Sequence, residues 1–139
     1  MKDKNQVEAR IESANGVDFQ TNVQVLIIGA GACGLTAALA ANDNTNDILV
    51  LERDPEPSGS TALSSGFVPA ANTKCQRFKG IKDTSEVFNN DILVKASGKQ
   101  NSELSKLVSY KCGEVLDWLN EIHGIEWEIL DNFLYPGHT

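Results

Sequence analysis

The chain lacks any long apolar run, is short of positive charge and has almost no histidine, and each shortage removes a class of function. No stretch reaches the roughly 20 apolar residues that a membrane-spanning helix requires, so no span is expected. The first twenty residues are mostly polar and carry no apolar core of a secretory signal. A cytoplasmic location is therefore expected. Only 12 Lys and Arg stand against 19 Asp and Glu, a formal net charge of −7. That balance offers no basic surface for nucleic acid, which demands displaced counterions, and no polybasic patch for anionic lipid. The three cysteines, Cys33, Cys75 and Cys112, are odd in number and contain no C-x-x-C pair, which argues against a disulfide framework and a structural metal. With His123 and His138 as the sole histidines, no metal cluster and no nucleophile–base arrangement can be assembled.

What remains is a chain of 139 residues, 41% hydrophobic and 22% charged, enough for about one globular domain. It is organised around VQVLIIGAGACGLTAALAANDNTNDILVLE, Val23 to Glu52. Val25 to Ile28 form a continuous apolar run, as a parallel strand buried on both faces would show. Gly29, Gly31 and Gly34 follow with the spacing G-x-G-x-x-G. The first glycine permits a tight turn, the second lets a pyrophosphate approach the backbone, and the third lets the next helix pack on the strand. The alanine-rich helix after them, with Leu35 and Leu39 one turn apart, would aim its N-terminal N–H groups at phosphate. Asn42 to Asp47 are turn formers, and Ile48 to Leu51 read as a second strand. Glu52 follows the last glycine by 18 residues, where a carboxylate can accept hydrogen bonds from an adenosine ribose.

The rest of the chain is less explicit. Residues 1–22 read as a leader entering the first strand, with Val7 and Ile11 on one face of a short helix. Pro55, Pro57 and Gly59 make Arg53 to Gly59 a loop. Ser58, Ser60, Thr61, Ser64 and Ser65, between Gly59 and Gly66, then offer hydroxyls and backbone N–H groups for a second phosphate-contacting loop. A helix is expected over 83–98, with Asp83 and Glu86 as a capping box and Gly98 as its stop. A second is expected over 101–122, where Leu104, Leu107, Val108, Val115, Leu116 and Leu119 recur at helical spacing. Asn101 or Ser102 would cap it and Gly124 would end it. Ile125 to Leu130 alternate like a short strand. Trp118 suits the core or a partner face, and His123 suits a cation near a helix C-terminus. Cys33 serves as a small residue at a helix start.

The glycine turn, Glu52 and SGSTALSSGFVPA together resemble the start of the FAD-dependent oxidoreductases of the fumarate reductase and succinate dehydrogenase flavoprotein type, a group that includes ketosteroid dehydrogenases. The resemblance covers about Val23 to Thr139 and is strongest from Val23 to Gly66. Gly29, Gly31, Gly34 and Glu52 match directly, and Gly59, Ser60, Thr61 and Gly66 match the family's G-G-[NST]-[ST] loop. Ser58 stands where a first glycine is usual, and Phe67 where a small residue is common. The resemblance implies an α/β fold: a Rossmann-like FAD-binding βαβ unit followed by helices, incomplete at its C-terminus. It implies FAD as cofactor, held by Gly29, Gly31, Ala32, Cys33, Gly34, Glu52, Arg53, Gly59, Ser60, Thr61, Ser65 and Gly66. It places YPGHT, and hence His138, on the approach to the substrate side.

Members of the family are several times longer and carry their catalytic Arg and His residues in later segments. The expectation is therefore an N-terminal fragment, 23–139 being the first part of an FAD-binding domain, inactive alone. The full-length enzyme would act on a small molecule, at a C–C single or double bond next to a carbonyl or carboxylate. A partner chain or missing C-terminal segment would cover the exposed sheet edges. Two alternatives stay open: an NAD-binding Rossmann module, which does not predict the Ser/Thr/Gly loop after Glu52, and a non-catalytic interaction subunit using Trp118, Leu116 and Leu119 as contacts.

Overall fold

The computed structural model describes residues 11–130, 133, 134 and 136–139. The chain divides into two compact units, Met1–Pro55 and Glu56–Thr139. Val7 of the expected leader helix lies outside the described residues, and Ile11 is exposed coil.

In the first unit, β1 (Val25–Ile28), α1 (Ala32–Asn42) and β2 (Ile48–Leu51) form one parallel β–α–β element. The register pairs Val25 with Ile48 and Ile28 with Leu51. Gly29 N–H extends the ladder to Leu51 O at 2.7 Å, and Val25 N–H closes its other end on Asp47 O at 3.2 Å. Helix α1 packs on both strands. Strand β1 is not buried on both faces, as its apolar run had suggested. Val25 and Ile27 are half-buried, whereas Leu26 is 52% and Ile28 83% exposed. Among the described residues of this unit, α1 is the one helix, and it lies over one sheet face.

The second unit is helical among the described residues. The serine-rich stretch coils into a single turn, α2 (Ser60–Leu63), and α3 (Lys74–Phe78) is a short helix that sequence periodicity was too brief to reveal. Two longer helices follow, α4 (Ser85–Ala96) and α5 (Ser102–His123), packed on each other. Thr84, not Asp83, caps α4 by accepting Val87 N–H at 3.2 Å. Helix α4 ends at Ser97 in the left-handed region, φ 51°, with Gly98 following at φ 74°. Asn101 caps α5 by accepting the N–H groups of Glu103 and Leu104, and Gly124 ends it at φ 68°.

The buried seam of α5 is made of Ser105, Ser109, Gly113, Leu116 and Leu119. Small residues there let the backbone at Ala71 approach the helix: a Cβ on Gly113 would collide with Ala71 O. Ile125 to Leu130 form no strand. The segment is coil, and Trp127 turns back so that its indole N–H donates to Leu116 O at 2.9 Å. Trp118 stands edge-on to the His123 imidazole, 4.5 Å between ring centres. No described helix is long and apolar enough to cross a membrane.

Candidate functional site

The most developed site-like geometry lies at the end of β1. Gly29 adopts φ 101°, a conformation L side chains rarely adopt, so the tight turn requires glycine. A Cβ on Gly34 would drive into Gly29 O and come within 3.3 Å of Ile27 Cγ2. The third glycine is thus the point where α1 crosses the strand end closely. Gly31 is the N-cap of α1 and supplies no side-chain acceptor, and the first turn carries no acid. The first intrahelical bond is Leu35 N–H to Gly31 O at 2.9 Å. The start of α1 is therefore a positive dipole end with no acid in its own first turn, and the carboxylate placed beside it is that of Glu52, on Ala30 N–H. Ala32 and Cys33 form this first turn, and Cys33 is exposed with a free thiol.

Glu52 closes the same turn. Its carboxylate accepts Ala30 N–H at 2.8 Å and Asp54 N–H at 3.1 Å. These two backbone donors, Ala30 foremost, hold its pKa below the ordinary glutamate range. The strand-end acid and the glycine turn are thereby tied together across 22 residues of sequence. Arg53 points outward with its side chain 90% exposed and pairs with Asp54 at 3.1 Å. That pairing raises the guanidinium pKa further and leaves Arg53 engaged by its neighbour.

In the second unit, Gly59, Ser60, Thr61, Ser65 and Gly66 are all exposed. Gly59 caps the α2 turn, and Ser65 and Gly66 take φ 55° and 80°. Ser64 donates to Thr61 O at 2.8 Å, tightening the turn on itself. Phe67, directly after this loop, stacks on Phe133 with ring centres 6.3 Å apart. Beyond it the chain becomes buried at Ala71 and Thr73. Here lies a network that sequence reasoning missed. Thr73 and Gln76 form a reciprocal capping box at the start of α3, and Gln76 also donates to Ala70 O and to Asp83. The T-x-x-Q spacing was the available signal.

His138 is exposed and lies in the electrostatic field that also includes Asp83 and Asp91. Burial raises the Asp83 pKa, opposed by the hydrogen bonds it accepts and by His138. Asp91 accepts both the N–H and the hydroxyl of Thr139, and Lys95 Nζ donates to Pro136 O at 3.2 Å. The end of the chain is thus clasped along α4. No group of three or more metal-ligating side chains occurs among the described residues.

Residues 24–132 match the family described as FAD binding domain. The chain is 34% identical over 95 residues to an NADH:fumarate oxidoreductase of Klebsiella pneumoniae (strain 342), covering 68% of this chain and 10% of that protein. It is 28% identical over 118 residues to a fumarate reductase of Schizosaccharomyces pombe, 85% of this chain and 23% of the relative. It is 33% identical over 106 residues to an acrylate reductase flavoprotein subunit of Shewanella woodyi, 76% of this chain and 21% of the relative. The chain thus spans between a tenth and a quarter of the length of these relatives.

Proposed function

The chain belongs to the FAD-binding domain family, a family of flavin oxidoreductases, and from that premise we propose that it is the Rossmann-like FAD-binding portion of a reductase of activated carbon–carbon double bonds. The observation that carries the assignment of the site is the closed turn at the end of β1. Gly29 is at φ 101°, Gly34 stands against Gly29 O, and the Glu52 carboxylate lies on Ala30 N–H. This arrangement fits a dinucleotide in its donor set. The start of α1 at Gly31, Ala32, Cys33 and Gly34 receives pyrophosphate, a reading supported by the helix dipole and by a first turn that carries no acid of its own. The free lone pairs of Glu52 accept the hydroxyls of the adenosine ribose. Arg53 covers this end as a cation held in place by Asp54. Gly59, Ser60, Thr61, Ser65 and Gly66 are assigned to the phosphate and flavin side, a reading supported by their exposure and by the left-handed backbone at Ser65 and Gly66.

When bound, the flavin supplies hydride transfer. The protein residues in hand bind and orient it. Relatives named as reductases of fumarate and of acrylate share a substrate double bond conjugated to a carboxylate, and that class is the proposed substrate of the longer enzyme. Alone, this chain is assigned binding without turnover. The bare apolar face at Leu26 and Ile28 favours a companion reading, in which further protein covers that face before the site is complete.

The test is the visible absorption spectrum of the purified chain after loading with FAD and removal of excess. Flavin bands retained by the wild type and lost in Glu52→Gln or Gly31→Val support the reading. A chain that retains NAD but no flavin, or neither with the fold intact, refutes it.

A further inference from the structure

We propose that Gln76 is a positioning residue, a latch that fixes the Ser/Gly loop over 58–66 for the flavin side. The inference rests on the FAD-binding reading above. The loop has turn bonds of its own and the Phe67–Phe133 stack at its exit, but it is exposed throughout, its helical turn spans only Ser60–Leu63, and it leaves through two consecutive left-handed residues. The buried points downstream are Ala71 at 1% and Thr73 at 8% exposure.

Gln76 holds that stretch with every polar position of its amide. Oε1 accepts the Thr73 N–H at 2.8 Å and the Thr73 hydroxyl at 3.0 Å. Nε2 donates to Ala70 O at 3.1 Å and to Asp83 Oδ2 at 2.9 Å. Two donors and two acceptor sites are all an amide offers, so one side chain ties the exit of the loop to the segment leading into α4. Helix α5 backs the latch. Asp117 accepts Lys74 N–H at 2.9 and 3.2 Å and pairs with Arg77 at 3.3 Å, while Gly113 admits the Ala71 backbone. A glutamate at this position lacks the two donors, and a methionine or leucine leaves Ala70 O and Asp83 without them.

The test uses Gln76→Glu alone and with Asp83→Asn, in the full chain. The first substitution sets a carboxylate against that of Asp83; adding the second restores the bond with donor and acceptor exchanged. Hydrogen exchange in the unloaded chain is expected to quicken about tenfold over 58–73 in Gln76→Glu, to stay unchanged over 23–52, and to recover in part in the double variant. FAD affinity is expected to fall about tenfold while AMP, which carries the adenosine with one phosphate and no flavin, binds within about twofold of wild type. Equal losses for FAD and AMP would assign Gln76 a merely structural role and overturn the proposal. Unchanged exchange over 58–73 overturns it as well. A wild type that binds neither ligand refutes the FAD-binding reading, and the exchange measurement then still decides the latch.

Discussion

Replacing Gly34 with alanine sets two effects of known size against each other. Alanine is favoured over glycine inside a helix by about 1 kcal/mol, and Gly34 lies in the first turn of α1. Against this, the new Cβ would run into Gly29 O, 3.1 Å from Gly29 C and 3.3 Å from Ile27 Cγ2. The carbonyl cannot swing aside freely, because Gly29 is held at φ 101° and its N–H is bonded to Leu51 O at 2.7 Å. Overpacking of this kind costs about 1–3 kcal/mol, and an obstacle made of backbone belongs at the upper end. The clash wins by about 1–2 kcal/mol, roughly a five- to thirtyfold change in an opening equilibrium. Tryptophan fluorescence would not see it directly, since Trp118 and Trp127 both belong to the unit Glu56–Thr139. Hydrogen exchange of peptides from 23–52 reads it, with peptides from α5 as the internal reference. Protection in 23–52 should fall by that factor and FAD retention should fall with it. Equal or greater protection would mean that helix propensity decides this position, and the close-approach argument for the third glycine would be refuted.

Other consequences follow from the same geometry. Glu52→Gln weakens the hold on Ala30 N–H and the ribose, and should lower ADP and FAD affinity together by about tenfold, read by isothermal titration. Because the Glu52 pKa is depressed in the folded chain, its contribution is present above the ordinary glutamate pKa and is lost as pH falls through the depressed value. Urea midpoints of the wild type should therefore decline on that acid limb more steeply than those of Glu52→Gln, and parallel limbs would contradict the assignment. Asp83 has the opposite sign: burial raises its pKa, so its contribution is present at low pH and lost as pH rises through the raised value. Asp83→Asn should flatten that loss, and an unchanged profile speaks against burial as its cause. Trp127→Phe removes the indole donor to Leu116 O and should cost about 1 kcal/mol in urea unfolding followed by circular dichroism; no change would mean the 125–130 coil is not held by that bond.

The sequence alone determined the local units. An apolar run, three spaced glycines and an alanine-rich stretch dictate strand, turn and helix through contacts within a few residues, so β1, α1, β2 and Glu52 were legible. So were α4 and α5, though the cap of α4 fell on Thr84 and not on the Asp83 that the sequence suggested. Only the tertiary structure decided features that depend on distant partners. Four apolar residues in a row do not say that Leu26 and Ile28 stand exposed among the described residues. Glu52 finds Ala30 N–H 22 residues away, and Lys74 finds Asp117 43 residues away. The alternation of Glu126, Trp127, Glu128 and Ile129 specifies a strand only where another strand can pair, and the described residues of its unit contain none. The indole of Trp127 satisfies its donor on α5 instead. Helix α3 is five residues long, too short for periodicity, and exists because Thr73, Gln76 and Asp117 cap it from both sequence-near and sequence-distant positions. Local pattern specifies an element; the partner that completes its hydrogen bonds and buries its apolar face is set by the folded chain.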